Sequence, residues 1–178
     1  MMNFYETYEC KIDDKGRLKL PSSLVKLLQS SGDKNFVVKR SVFQNCLEVY
    51  PMKPWENLMK KINGLNRFVK KNADFIRMFT AGVKNVELDS SDRILIPKDL
   101  KQFANLNKEI VISGAGELFE IWDKDAYEKV IATNEADFGK LTEEVMGEID
   151  FELLLKQILN ELIEEITNLK SKYLKSKI

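Results

Sequence analysis

The chain contains no histidine, only two cysteines (Cys10 and Cys46) and four prolines in 178 residues. Without histidine, the commonest general base at neutral pH and the commonest metal ligand are both missing. The two cysteines form no C-x-x-C pair and read as reduced thiols in a core, not as a redox or zinc motif. No phosphate-cradling loop, nucleophile–base pair or ligand cluster occurs, and the carboxylates are scattered over helical stretches. The sequence is therefore not that of an enzyme, and no catalytic residue, metal, cofactor or small-molecule substrate is expected. Long apolar runs are also lacking. Stretches such as Phe36-Val37-Val38 and Leu153-Leu154-Leu155 fall far short of the roughly 20 residues a membrane helix needs. Met1 to Glu9 show no basic start leading into an apolar stretch, so neither a secretory signal nor a membrane partner is expected.

The chain has no net charge either, with 28 basic and 28 acidic residues. Taken alone, that argues against nucleic acid. The distribution is uneven, however. Residues 135–178 hold 6 basic and 10 acidic residues, which leaves 22 basic and 18 acidic in residues 1–134. A mildly basic body with an acidic tail is compatible with a local DNA-binding face. Hydrophobic residues at 44% and charged residues at 31% are ordinary for a folded globular chain, so a packed core is expected.

What the sequence does contain is an internal repeat. Residues 12–21 read I-D-D-K-G-R-L-K-L-P and residues 88–97 read L-D-S-S-D-R-I-L-I-P. The common frame is apolar, Asp, three residues, Arg, apolar, any, apolar, Pro. Further on, Leu47-Glu48-Val49-Tyr50 answers Phe119-Glu120-Ile121-Trp122, and Trp55 answers Tyr127. Two matched blocks in the same order indicate a duplication with a small difference in loop length.

Each copy reads as a strand (Glu9–Ile12; Asn85–Leu88), a tight turn (Asp13–Gly16; Asp89–Asp92) and a second strand (Arg17–Leu20; Arg93–Ile96). Asp, Gly and Ser are the residues such turns favour. Leu18 and Leu20 alternate with Arg17 and Lys19, which marks one buried and one exposed face. Pro21 and Pro97 end the strand and suit a helix start, with short helices following at Ser22–Gln29 and Lys98–Ala104. Strands Phe36–Lys39, Cys46–Tyr50, Ile110–Ser113 and Leu118–Trp122 come next, and further helices start at Trp55 and near Lys124. A unit with about four short strands is too small to fold alone. The two are expected to share one core as an intramolecular pseudo-dimer of α+β, β-rich class. The expected boundaries are a first unit at 1–54, a helical linker at 55–79, a second unit at 80–134 and a helical tail at 135–178.

These residues resemble the MraZ family, within the AbrB/SpoVT superfamily of DNA-binding β-barrels. Asp13, Lys15, Gly16, Arg17 and Pro21 carry the likeness in the first copy, and Asp89, Arg93 and Pro97 in the second. Cys46-Leu47-Glu48-Val49-Tyr50-Pro51, Trp55 and Glu120-Ile121-Trp122-Asp123 extend it, over roughly residues 4–148. The resemblance implies tandem AbrB-like units forming a swapped-hairpin barrel, assembled into a ring-shaped homo-oligomer. It also implies a cytoplasmic, nucleoid-associated transcriptional regulator that binds short, directly repeated G-containing boxes in double-stranded promoter DNA, upstream of division and cell-wall genes. Two readings stand beside it: an AbrB-like antitoxin or transition-state regulator, and a structural oligomeriser that binds no DNA. Asp92 departs from the family, which usually has Gly there. That turn position is expected to need a positive φ, which Asp tolerates at some cost. A carboxylate there weakens DNA binding unless Arg93 or Lys84 pairs with it.

On this reading Arg17 grips the O6 and N7 atoms of guanine, Lys15 and Lys19 hold the phosphate backbone, and Arg93 serves the second copy. Asp13 and Asp89 shape the turns through side-chain to backbone hydrogen bonds, with Gly16 and Asp92 completing them. The plainer alternative is an Arg17–Asp13 pair that only braces a hairpin. Residues 53–79, with Lys60, Lys61, Arg67, Lys70, Lys71 and Arg77 among apolar residues, read as an amphipathic linker with a solvated face. In the tail, Leu155, Leu159, Leu162, Ile166, Leu169 and Tyr173 follow spacings of 4, 3, 4, 3, 4, the seam of a coiled coil, widened by Leu154, Ile158 and Ile163. The family usually ends near residue 150, so this helix is an addition, and its seam is expected to be covered, by pairing between protomers or by lying back on its own body.

Overall fold

The computed structural model describes residues 3–175 except 31, 33, 136 and 148–150; the side chains of 30, 133–135, 151–155, 157, 168, 171, 172, 174 and 175 lie outside the described set. In chain order the elements are β1 (Thr7–Lys11), β2 (Arg17–Lys19), α1 (Ser22–Ser30), β3 (Asn35–Arg40), β4 (Leu47–Pro51), α2 (Met52–Asn63) and α3 (Lys70–Thr80). The second copy runs β5 (Lys84–Glu87), β6 (Arg93–Leu95), α4 (Lys98–Phe103), β7 (Glu109–Ala115), β8 (Leu118–Asp123) and α5 (Lys124–Glu135). Two more helices follow, α6 (Phe138–Gly147) and α7 (Phe151–Lys175). Residues 1–130 form one compact unit and residues 131–178 another.

Within the first unit, six strands make one antiparallel sheet in the order β1-β7-β8-β4-β3-β5. The order is a palindrome of the repeat. β1, β7 and β8 on one side correspond to β5, β3 and β4 on the other. The outer strand of each half hydrogen-bonds to an inner strand of the other half, so the halves have exchanged their first strands. The central pair is β4 with β8, where Glu48 stands opposite Glu120. β2 and β6 form a separate two-stranded antiparallel ribbon, centred on Leu18 opposite Ile94. The pseudo-twofold extends to single bonds: the Leu20 N–H donates to the Asp92 carbonyl at 2.9 Å, and the Ile96 N–H to the Gly16 carbonyl at 2.8 Å.

The core lies between the ribbon and one sheet face. Leu18, Leu20, Ile94 and Ile96 pack in one cluster with Phe36, Val38, Leu47, Val49, Ile110, Ile112, Phe119 and Ile121, closed by Leu24, Leu28 and Leu100 from α1 and α4. The opposite face carries the trailing aromatics of both copies. Tyr50 packs on Trp55, which stacks on Phe79, and Trp122 packs edge-on against Tyr127. There the Lys39 ammonium is buried, 3.0 Å from Glu48 and 4.4 Å from the Phe79 ring centre. Tyr50 donates to Glu48 and the Trp122 indole to Glu120. Burial raises the Glu120 pKa, against the Trp122 hydrogen bond, and the neighbouring Glu48 charge raises it further.

Several expected boundaries shift. β1 starts at Thr7 instead of Glu9, and β5 at Lys84 instead of Asn85. The helix expected from Trp55 begins at Met52, because Pro54 falls in the first turn, where its missing N–H costs nothing. The 53–79 linker is two helices, broken after Gly64, whose N–H closes on the Lys60 and Lys61 carbonyls. Some of its apolar residues are not buried: Phe68 and Met78 stand in solvent. Pro21 and Pro97 precede their helices, and their carbonyls accept from the N–H of Val25 and Lys101.

In the second unit, α7 presents Ile158, Leu159, Leu162, Ile163, Ile166, Leu169 and Tyr173 to solvent. Leu154 and Leu155 of the expected seam lie outside the described side chains. Among the described residues no helix is long and apolar enough to cross a membrane.

Leu18 sits at the crossing point of the two halves with no exposure. Leu18→Ala should cost about 2–5 kcal/mol of stability, the range for a buried leucine that leaves a cavity. Urea unfolding should show this as a lower midpoint with an unchanged slope, because one cooperative unit unfolds.

Candidate nucleic-acid interface

The two repeated turns are built in the same way, each around its own aspartate. In the first, Asp13 Oδ1 accepts from the backbone N–H of Lys15 at 3.0 Å and of Arg17 at 2.9 Å. The Asp13 N–H donates to the Arg17 carbonyl and the Gly16 N–H to the Asp13 carbonyl. In the second, Asp89 Oδ1 accepts from Ser91 at 2.8 Å and Arg93 at 3.0 Å, with the matching bonds Asp89 to Arg93 and Asp92 to Asp89. Each carboxylate then uses its other oxygen on the arginine. Arg17 Nε lies 2.7 Å from Asp13 Oδ2, and Arg93 Nε 2.9 Å from Asp89 Oδ2. Both hydrogen bonds employ Nε. The terminal Nη groups, which form the guanidinium fork, bond to no described residue.

The fourth turn position needs the left-handed backbone in both copies. Gly16 has φ of 82° and Asp92 of 59°. At Gly16 a Cβ would meet the Ile96 carbonyl oxygen at 3.0 Å, so glycine also provides clearance. Asp92 adopts the conformation with a side chain present. Neither cation named for it holds it: Arg93 bonds Asp89, and Lys84 lies 4.0 Å from Asp99.

Strand alternation sets what the ribbon shows. Leu18 and Ile94 point into the core, so Arg17, Lys19, Arg93 and Leu95 share the outer face. Across the ribbon Arg17 stands opposite Leu95 and Lys19 opposite Arg93. Lys15 is exposed at the tip of the first turn. The structure thus brings Lys15, Arg17, Lys19 and Arg93 to one ribbon and its turns. The first copy supplies three of these cations and the second one, because Ser91 and Leu95 occupy the places of Lys15 and Lys19. Leu95 escaped the sequence reading, although the repeat frame already aligned it with Lys19. Among the described residues no group of three or more Cys, Asp or Glu is placed to hold a metal ion.

The turn hydrogen bonds also set the electrostatics. The Arg17 backbone N–H lowers the Asp13 pKa, against partial desolvation, with the guanidinium and the Lys15 N–H adding to it. Desolvation opposes ionisation of Asp89, yet the N–H groups of Ser91 and Arg93 and the Arg93 guanidinium outweigh it, and its pKa is lowered too. A carboxyl group with a depressed folded pKa contributes stability above its unfolded value of about 3.9, and loses it as pH falls through the folded value. The Asp13→Asn/Asp89→Asn double variant should therefore flatten the loss of stability below about pH 4, read from thermal midpoints across acid pH. Glycine matters differently in the two turns. Gly16→Ala should cost about 1–2 kcal/mol for the left-handed backbone, plus the clash with Ile96. Asp92→Ala should cost less, since a Cβ is already accommodated; equal losses in chemical denaturation would contradict this asymmetry.

Comparison with known proteins agrees with this architecture. The family described as MraZ protein matches the chain twice in tandem, over residues 3–78 and 78–148. The transcriptional regulator MraZ of Christiangramia forsetii is 59% identical over 152 residues, covering 85% of this chain and 98% of that protein. That of Flavobacterium psychrophilum is 60% identical over 144 residues, or 81% and 92% of the two chains. A more distant relative of the same name, from Mycoplasmoides gallisepticum, is 40% identical over 140 residues, or 79% and 93%. With both halves matched and the swapped sheet joining them, this chain belongs to the MraZ family.

Proposed function

We propose that the protein is a transcriptional regulator, not an enzyme, that reads double-stranded promoter DNA with the β2–β6 ribbon and its two turns. The observation that carries this reading is the outer face of that ribbon. Three cations project from two adjacent antiparallel strands, and a two-stranded ribbon fits the major groove of B-DNA. The relatives' name, transcriptional regulator, supports the same class.

Roles follow from chemistry and tethering. Arg17 and Arg93 are held at Nε, which fixes the guanidinium plane while the fork remains available for the O6 and N7 atoms of guanine. Lys15 and Lys19 are exposed point charges suited to phosphate. The Arg17–Asp13 pair, which could serve merely as a brace, becomes part of the reading device by restricting the arginine before DNA arrives. The second copy has fewer cations, so the first copy carries most of the grip.

Few cations on a chain of zero net charge give weak binding per protomer. A homo-oligomer, ring-shaped as the family resemblance implies, would present the same ribbon repeatedly to directly repeated boxes and gain through effective concentration. The expected targets are boxes upstream of division and cell-wall genes, with the protein on the nucleoid in the cytoplasm.

Arg17→Ala should lose about 1–3 kcal/mol on a specific site, and Arg17→Lys should recover charge but not specificity. Lys15→Ala should weaken all sequences alike and reduce the slope of log K against log salt by about one. Filter binding to DNA upstream of the chain's own gene, over a salt series, measures both. Thermal unfolding of each variant separates lost contacts from a disturbed turn. Unchanged affinity of Arg17→Ala for a cognate promoter would refute the assignment.

A further inference from the structure

The C-terminal helix α7 is 25 residues long, about 37 Å at 1.5 Å per residue. The family match ends at residue 148, before the helix begins. The curated relatives pair with 79–85% of this chain while using 92–98% of their own length, so the chain carries additional sequence. An addition of this kind has to be explained by its own residues.

Leu159, Leu162, Ile166 and Leu169 repeat at spacings of 3, 4 and 3 and are 57%, 49%, 51% and 65% exposed. In heptad terms Leu159 and Ile166 are a positions, and Leu162 and Leu169 are d positions. Asn160, Glu161, Glu164 and Thr167 fall on the opposite side, at b, c and f. A stripe with a polar back is the pattern of a coiled-coil strand, not of a helix buried all round.

The flanking positions identify the occupant. In a parallel pair each g residue faces the e residue five places on in the other helix. Ile158 then meets Ile163 of the second copy, and Glu165 meets Lys170, so apolar faces apolar and anion faces cation. A fully overlapped antiparallel pair would instead set Glu165 against Glu165 and Lys170 against Lys156, like charge on like charge. We propose that α7 is a self-association surface that pairs in parallel with the α7 helices of further copies of this chain. The pairing uses none of the ribbon residues.

Disulfide capture in the full-length chain tests the seam. Ile166→Cys places a thiol at an a position, where parallel partners meet, and Glu164→Cys places one at f, facing away. Cys10 and Cys46 are present in both and cancel. Under mild oxidation Ile166→Cys should give covalent dimers and Glu164→Cys should not exceed the parent. Equal capture at the two positions would overturn the proposal. A second measurement leaves the apolar seam intact. Glu165→Lys should raise the concentration needed for association about tenfold in sedimentation. Glu165→Lys with Lys170→Glu should restore it. If the double reversal behaves like the single one, parallel pairing is wrong.

Discussion

Neither half of this chain can complete its own sheet. β1 finds its hydrogen-bonding neighbour in β7, and β5 finds its neighbour in β3. The ribbon that closes the core likewise takes one strand from each half. Unpaired buried N–H and C=O groups are costly, so the exchange of strands makes folding of either half conditional on the other. Every feature of the candidate interface follows from that interlock. The turns that precede β2 and β6 are brought to the two ends of one ribbon because β2 and β6 must pair with each other. Burial of Leu18 and Ile94 beneath it forces Arg17, Lys19, Arg93 and Leu95 outward.

Asp13 and Asp89 each perform two tasks with two oxygens. One oxygen gathers backbone N–H groups and fixes the turn, and the other tethers the arginine that follows. A carboxylate so close to the arginine reduces the net field that reaches a phosphate. In exchange it limits the rotamers of a long side chain, which otherwise loses considerable entropy on binding. Geometry is favoured over raw attraction. This suits a chain whose charges balance.

Much of this arrangement was legible in the sequence, and the reasons are local. The repeated Asp-x-x-x-Arg frame with its trailing Pro marks turn, strand and helix start by side-chain chemistry that acts within five residues. The alternation at Leu18 and Leu20 fixes an inner and an outer face. What local chemistry does not encode is which strands pair. The palindromic order of six strands depends on contacts more than forty residues apart, and here the family resemblance supplied what periodicity could not. Boundaries shifted where a local rule met its neighbour, as at Met52, where Pro54 is admitted to a first helical turn. The break at Gly64 also hid behind a continuous amphipathic pattern. Leu95 was missed because a lone apolar residue on a strand reads as core until its partner strand shows that face to be open.

The sheet face opposite the core shows what fusion of two copies into one polypeptide permits. Glu48 and Glu120 oppose each other on the pseudo-axis, yet Lys39 reaches only Glu48, and the residue that answers Lys39 in the other half, paired with Glu120, is Ser113. Two identical subunits related by exact symmetry would have to inter two ammonium groups there, one for each carboxylate, or none, leaving two bare carboxylates. A covalent duplicate escapes that choice and can settle on one. The same freedom lets the two ends of the ribbon differ, so that a duplicated molecule acquires a front and a back.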